Sequence, residues 1–196
     1  MHTKLALSFA ALLMSGVVGH AHAQAEADRP APPASRTTPA TKPATLSQSQ
    51  ALGLLSTINQ AEIGAGHLAA SRASGSGTKQ YAQLMIKEHT ENDAKLKPWK
   101  PDVSSPAAKA KAAEAKTEAA RLSTLNGSAF DMAYLKSMVA DHRKALQTLD
   151  TQVIPAATDP AVAAFLKDTR VHVAAHLNQA EALHSNAGKA NPDGSR

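Results

Sequence analysis

The feature that most constrains the fold of this chain is a series of long segments with apolar residues at helical spacing. Glycine or proline separates these segments. Projection of these segments at about 100° per residue gives continuous apolar faces, and strand-like alternation is absent from the sequence. The breaks fall at "SGSG", at the prolines after Lys97, at Asn-Gly and before Asp-Pro. The pattern predicts an all-α chain with helices over residues 47–73, 78–97, 106–125, 128–154 and 160–187.

Three of the predicted helices begin with capping sequences. "SQSQ" from Ser47 resembles a capping box, and Ser105 and Asp159 each precede a proline at the first helical position. The third helix consists mostly of Ala, Lys and Glu, which predicts a solvated connector with a thin apolar edge. The other four helices are long and amphipathic, so we expect them to close around one core.

The ends of the chain are predicted to lie outside the folded domain. Residues 1–23 combine a basic start, an apolar run and an A-x-A site, which is typical of a cleaved export signal. Residues 24–45 are rich in Pro, Ala and Thr and predict a disordered spacer. Residues 46–187 form one predicted domain, followed by a disordered tail over 188–196. We therefore expect a secreted protein, periplasmic or associated with the outer membrane, with no transmembrane span after cleavage.

Composition excludes several classes of function. The formal charge is +5, or +4 once Lys4 is removed with the signal, and one Trp and two Tyr offer no stacking platform for bases. Nucleic acid is therefore not an expected partner. The chain has no cysteine, which excludes disulfides and thiolate ligands. No nucleophile triad or phosphate-binding loop can be recognised in the sequence.

One motif occurs twice and places polar groups on otherwise apolar faces. "YAQLMIKEH" ends at His89 and "YLKSMVADH" ends at His142, so both contain Tyr-x3-Met-x2-acid-His. Projection places Glu62 and His142 in the middle of the apolar faces of the first and fourth helices, with His89 at the flank of the second. A rise of about 1.5 Å per residue puts these three at similar heights. Each of the four long helices is thus predicted to direct an acid or a histidine inward.

The fifth helix offers two histidines for the same level. His172 has the better height, whereas His176 lies among the apolar residues of its face. We favour His176, because a histidine at the right height still cannot reach the site if its imidazole points away from it.

This pattern predicts a metal site with Glu62, His89, His142 and His176 as ligands. Three imidazoles and a carboxylate suit a divalent transition ion such as Fe, Mn, Zn or Cu. Further carboxylates are expected to orient the rings from behind, since metal-bound histidine usually donates its other N–H to an oxygen; the candidates are Glu88, Asp131 and Asp141. The alternative is a metal-free network of Glu–His hydrogen bonds that fixes helix packing. An oxidoreductase is a third interpretation, without a recognisable substrate pocket or redox cofactor.

Four stretches carry a resemblance to a known family: "AEIGAGHLA", "YAQLMIKEH", "FDMAYLKSMVADH" and "HLNQAEAL". Over about residues 46–185 the chain resembles the exported bacterial family called domain of unknown function 4142. The resemblance implies a ferritin-like four-helix bundle with an additional crossover helix between the second and third core helices. The recurring polar residues of the family fall on Glu62, His89, Asp131, Tyr134, His142 and His176.

The resemblance brings no established activity. The paired Glu-x-x-His motif of di-iron ferritins is missing, so ferroxidase chemistry is not implied. We expect an exported helical protein that binds a divalent metal and acts in metal handling or envelope stress. The alternative is a metal-free structural or interaction protein that docks onto an envelope partner.

Overall fold

The computed structural model describes residues 45–190, and this part of the chain contains five α-helices and no strand. The predicted all-α class is therefore confirmed. The helices are α1 (Gln48–Arg72), α2 (Ser76–Leu96), α3 (Pro106–Ser123), α4 (Gly127–Thr148) and α5 (Pro160–Ala190).

The helix starts follow the predicted capping chemistry. The Ser47 hydroxyl accepts from the backbone N–H of Gln50, and the Gln50 side chain accepts from the backbone N–H of Ser47, which completes a capping box. Ser105 caps α3 through the backbone N–H of Ala108, and Asp159 accepts from the N–H of Ala161. These local contacts satisfy N–H groups that have no partner within the helix.

Two boundaries differ from the sequence prediction by three residues or more. Helix α4 ends at Thr148 and continues as a π-helical turn (Leu149–Val153) and a short 3₁₀ turn (Ile154–Ala156). Helix α5 continues three residues into the segment predicted as a tail. The predicted export signal, nearly all of the spacer and the last six residues lie outside the described residues. Between residues 45 and 190 no helix is long and apolar enough to cross a membrane.

Contacts at the helix ends establish how the helices run. Gln48, at the start of α1, accepts from the backbone N–H groups of Thr158 and Asp159 just before α5. Arg72, at the end of α1, donates to the carbonyl of Leu125 just before α4. Helices α1 and α2 pack as an antiparallel pair, and so do α4 and α5; α1 also contacts α4, and α2 contacts α5.

Helix α3 lies on the outside, mainly against α1. Only Ala108 and Leu122 of α3 are buried, as expected for an Ala-, Lys- and Glu-rich connector. Polar side chains attach it to α4: Lys111 Nζ lies 3.4 Å from Asp141 Oδ1, and Lys144 Nζ lies 2.7 Å from Glu114 Oε2. The Lys144–Glu114 pair is exposed and contributes little stability. With only two buried residues, α3 is the most weakly packed of the five helices.

The apolar core consists of two layers. One layer contains buried residues from the start of α1, the end of α2, the end of α4 and the start of α5, including Leu52, Leu55, Leu96, Leu149, Val153, Val162 and Leu166. The other contains residues from the opposite ends of the same helices, including Ala69, Tyr81, Met85, Phe130, Tyr134, Met138 and Ala180. On each of these four helices one buried acid or histidine lies between the two layers. These four side chains define the polar layer of the bundle: Glu62 on α1, His89 on α2, His142 on α4 and His176 on α5.

Candidate metal centre

The polar layer brings three histidine rings together. His89, His142 and His176 have exposed fractions of 4%, 1% and 4%. Their ring centroids lie 5.9 Å apart for His89 and His142, 5.3 Å for His89 and His176, and 5.5 Å for His142 and His176. One ring nitrogen from each histidine lies within 4.8 Å of the other two. These three rings form the histidine cluster, a nearly equilateral arrangement of side chains from α2, α4 and α5.

The proton on His89 is assigned by its partner on α1. His89 Nδ1 lies 2.9 Å from Asn59 Oδ1, and the Asn59 amide nitrogen donates to Asn92 Oδ1 at 2.9 Å. Because the amide oxygen can only accept, Nδ1 of His89 is the protonated nitrogen. Its Nε2 carries the lone pair, is buried, and finds no hydrogen-bond partner within residues 45–190.

The other two rings have the same arrangement. His142 Nδ1 donates to the backbone carbonyl of Met138 at 2.8 Å, and His176 Nε2 donates to Glu88 Oε2 at 2.7 Å. The remaining nitrogens, His142 Nε2 and His176 Nδ1, are buried and have no partner among the described residues. Each ring is therefore oriented by one hydrogen bond to an oxygen and retains one unused lone pair, which is the usual arrangement of metal-binding histidine.

Burial keeps two of these rings neutral. Desolvation, and then the neighbouring His142 and His176 rings, lower the pKa of His89 well below its ordinary value of 6.5. Desolvation also lowers the pKa of His176, against the opposing effect of its hydrogen bond to Glu88. A neutral imidazole is the form that binds a metal ion, so both rings are in the binding form at neutral pH.

Glu62 is buried beside the histidine cluster without belonging to it. Its exposed fraction is 3%, and Oε2 has no hydrogen-bond partner in the described part of the chain. Desolvation raises the pKa of Glu62, while His142 acts in the opposite direction. The structure thus brings three of the four predicted ligands together and places the fourth near enough to His142 for an electrostatic effect.

Two tyrosines line the same region. The Tyr81 hydroxyl donates to the backbone carbonyl of His176 at 3.3 Å, whereas the Tyr134 hydroxyl is buried and has no partner between residues 45 and 190. Burial, followed by the charge of Glu62, raises the pKa of both phenols. Both hydroxyls therefore remain protonated and can donate a hydrogen bond.

Of the three carboxylates proposed to orient the rings, only Glu88 does so. Asp131 accepts instead from the backbone N–H groups of Ser74 and Gly75 and from the Ser74 hydroxyl, so it fixes the α1–α2 turn against α4. Asp141 pairs with Lys111 on α3. The prediction was wrong for these two because the carboxylates face neighbouring backbone and α3, whereas Glu88 faces His176.

Sequence reasoning missed Asn59, the amide that lies behind His89. Asn59 is 1% exposed, and Asn92 continues the chain of hydrogen bonds by donating to Thr169 Oγ1 at 2.8 Å. This chain connects α1, α2 and α5. Asn59 lies three residues before Glu62 on the apolar face of α1. This position is the signal from which Asn59 could have been identified.

Two cavities flank the polar layer. The first, about 200 Å³, is lined by residues of α2 and α5 together with Asn59, and includes His89 and His176; we name it the α2–α5 cavity. The second, about 800 Å³, is lined by residues of α1, α3 and α4 and includes Glu62; we name it the α3 cavity. The favoured His176 belongs to the cluster, whereas the side chain of His172 is 59% exposed at the α2–α5 cavity.

Comparison with known proteins identifies the family without identifying an activity. No curated protein and no solved structure shows significant similarity to the chain. A family model described as "Domain of unknown function (DUF4142)" matches residues 32–183. Because this match covers most of the chain and includes the whole polar layer, the protein belongs to the family Domain of unknown function (DUF4142).

Proposed function

We propose that the protein binds one divalent transition metal ion through His89, His142 and His176. The observation that supports this most is the set of three unused lone pairs. Buried polar atoms without partners are rare in folded proteins, and here one occurs on every ring of a cluster within 4.8 Å. A single cation would use all three at once.

The ligand chemistry favours a borderline ion. Imidazole nitrogens suit Zn, Cu and Fe, and a site with three protein ligands keeps a position open for a further group. Metal–nitrogen bonds of about 2.1 Å place ligand nitrogens about 3.4 Å apart in a tetrahedral site, so ion binding would draw the rings together. Glu62 remains the proposed oxygen ligand, because its carboxyl group is buried next to His142 and lacks a partner for Oε2.

The helix arrangement supports a ferritin-like bundle. Two antiparallel pairs, α1–α2 and α4–α5, contribute one polar residue from each helix. Along the sequence α3 comes between the two pairs, and in the fold it packs beside α1. This is the connectivity expected of a bundle with a crossover helix. The apolar run and A-x-A site of residues 1–23 support export, and the function we propose is metal handling or response to stress in the cell envelope.

A metal-free role is the second candidate, and one observation favours it. The hydrogen bonds from His89 to Asn59, from Asn59 to Asn92 and from Asn92 to Thr169 connect three helices without an ion. Such a network can fix helix packing in a structural protein that docks onto an envelope partner. It leaves the three lone pairs unexplained, which is why we place it second.

Metal analysis of protein purified without a His-tag tests the proposal. After chelation, dialysis and reloading with Zn²⁺ or Co²⁺, we expect about one tightly bound ion per chain. Removal of an imidazole that supplies one of three nitrogens should weaken binding by at least about tenfold. His142→Ala and His176→Gln are the informative variants, and circular dichroism establishes that each remains helical.

His67→Ala is the matched control, because His67 lies on the exposed face of α1. This variant should retain wild-type affinity and stoichiometry. Equal binding by wild type, His142→Ala and His176→Gln would contradict the metal site and favour the hydrogen-bond network.

A further inference from the structure

The α2–α5 cavity connects the histidine cluster with the protein surface. His89 and His176 line it, and both are buried with one unpaired ring nitrogen each. Its lining also includes His172 and Asp168, whose side chains are 59% and 66% exposed. Exposed His172 and buried His89 and His176 therefore line one and the same cavity.

Glu88 lies between His172 and His176 of α5. Its Oε2 accepts from His176 Nε2 at 2.7 Å and lies 3.5 Å from His172 Nδ1. On the outer side, His172 Nε2 lies 3.8 Å from Asp168 Oδ2. Carboxylate and imidazole groups, the common ligands of divalent ions, thus follow one another from solvent to the cluster.

The α3 cavity offers no such series of groups. It is wider and also reaches the polar layer at Glu62, but its lining contains no histidine. Its four carboxylates are balanced by four cationic side chains; the eight residues are Glu62, Glu114, Glu118, Asp141, Lys111, Lys116, Arg121 and Lys136. In the α2–α5 cavity three carboxylates face two lysines, and one lysine, Lys87, is paired with Glu91 at 3.2 Å. Local charge and ligand type both favour cations on the α2–α5 side.

We infer that His172, Asp168 and Glu88 form an outer cation-binding site that passes divalent metal ions to the histidine cluster through the α2–α5 cavity. The inference rests on the proposed function, since it concerns how the ion reaches that cluster. His172 and Asp168 bind the ion first at the surface. Glu88, already in contact with both histidines, is the next oxygen ligand on the way inward.

Stopped-flow measurement of Co²⁺ binding to the chelated full chain tests this route through the rise of the visible absorption of bound Co²⁺. His172→Ala and Asp168→Asn remove outer groups that are exposed and not part of the cluster. We expect the association rate constant to fall by about fivefold or more in each variant. Asp168→Asn removes a negative charge that attracts the cation, and His172→Ala removes a nitrogen ligand of the outer site. Equilibrium affinity should stay within about twofold of wild type, because dissociation uses the same route and slows equally.

Glu114→Gln is the matched control, since it removes one negative charge at the α3 cavity, where Glu114 is 53% exposed. Its association rate should equal that of wild type. Wild-type rates in both His172→Ala and Asp168→Asn, or slower binding in Glu114→Gln alone, would overturn the route while leaving the metal site intact. Loss of equilibrium affinity in His172→Ala would also overturn it, because His172 would then be a ligand of the final site. A wild-type chain that binds no Co²⁺ at equilibrium would instead contradict the proposed function.

Discussion

At the scale of single residues, the orientation of each histidine ring is the decisive property. Asn59, the Met138 carbonyl and Glu88 each accept one N–H, so the second nitrogen of each ring is left as a base inside the protein. Two further polar atoms nearby, Glu62 Oε2 and the Tyr134 hydroxyl, have no partner in the described region. The metal ion that we propose would account for the three nitrogens. Glu62 is the group whose protonation state can be tested directly in the metal-free protein.

Glu62→Gln should stabilise the metal-free protein at neutral pH. Burial raises the folded-state pKa of Glu62 above its ordinary value of 4.5. Above pH 4.5 the Glu62 carboxyl group therefore loses its proton more readily in the unfolded chain than in the folded one, and this ionisation favours unfolding. Each unit of difference corresponds to about 1.4 kcal/mol. Urea unfolding with a chelator present should show the variant more stable than wild type at pH 8, with the gap closing as the pH falls toward 4.5.

The exposed carboxyl of Glu91 on α2 provides the comparison. Glu91→Gln should change the free energy of unfolding by less than about 0.5 kcal/mol at any of these pH values. A Glu62→Gln protein that is less stable than wild type at pH 8, or whose advantage grows toward acid pH, would show that Glu62 is buried as a stabilised anion.

At the scale of helices, close backbone contact positions α1 against its neighbours. The α2–α3 connection crosses α1 at Gly53, where an added Cβ would overlap the carbonyl group of Asp102, and the Asp102 N–H donates to the Ser49 carbonyl at 2.8 Å. Near the other end, a Cβ at Gly66 would lie 2.8 Å from Ile86 Cγ1 on α2. Glycine costs helix stability, so these positions are explained by packing.

Gly53→Ala should therefore destabilise the protein by about 1–3 kcal/mol, because the backbone of the connection must move to admit the methyl group. Gly64→Ala lies in the same helix and meets nothing within 4 Å, so it should stabilise by about 0.5–1 kcal/mol. Chemical denaturation of both variants measures the difference. A stabilising Gly53→Ala would mean that the α2–α3 connection does not rest on α1.

At the scale of the whole molecule, the polar layer divides the core in two. Apolar residues lie above and below it on α1, α2, α4 and α5. The proposed ion, held by His89, His142 and His176, would join the α1–α2 pair to the α4–α5 pair. Without the ion, three uncompensated nitrogens remain at the centre of the bundle, where each unpaired polar group costs stability.

Metal should therefore raise the stability of the entire domain. At a free ion concentration 100 times the dissociation constant, linkage adds about 2.7 kcal/mol, or about 5–10 °C in Tm for a domain of this size. Thermal unfolding with Zn²⁺ and with excess chelator measures the shift, and His142→Ala should show much less of it. An unchanged Tm in wild type would favour the metal-free network.

The helices and their caps follow from local sequence. Ser47 and Ser105 cap the helices predicted for them, and Ala-rich α3 is as exposed as its composition indicates. These features depend on residues within one or two turns, so a single sequence contains them. The inward acid or histidine on each long helix was also predictable, because each interrupts an apolar face; the choice of His176 over His172 followed from the same face.

The sequence by itself thus determined an all-α domain in which each of four helices carries one acid or histidine in the middle of its apolar face. Only the tertiary structure decided which nitrogen of each ring is free, because Asn59 orients His89 from α1 and Glu88 orients His176 from α2. It likewise directed Asp131 to the Ser74–Gly75 turn and Asp141 to Lys111 on α3. The physical reason is that hydrogen bonds between helices depend on rotation and separation to within a fraction of an ångström, whereas helical periodicity specifies a face only.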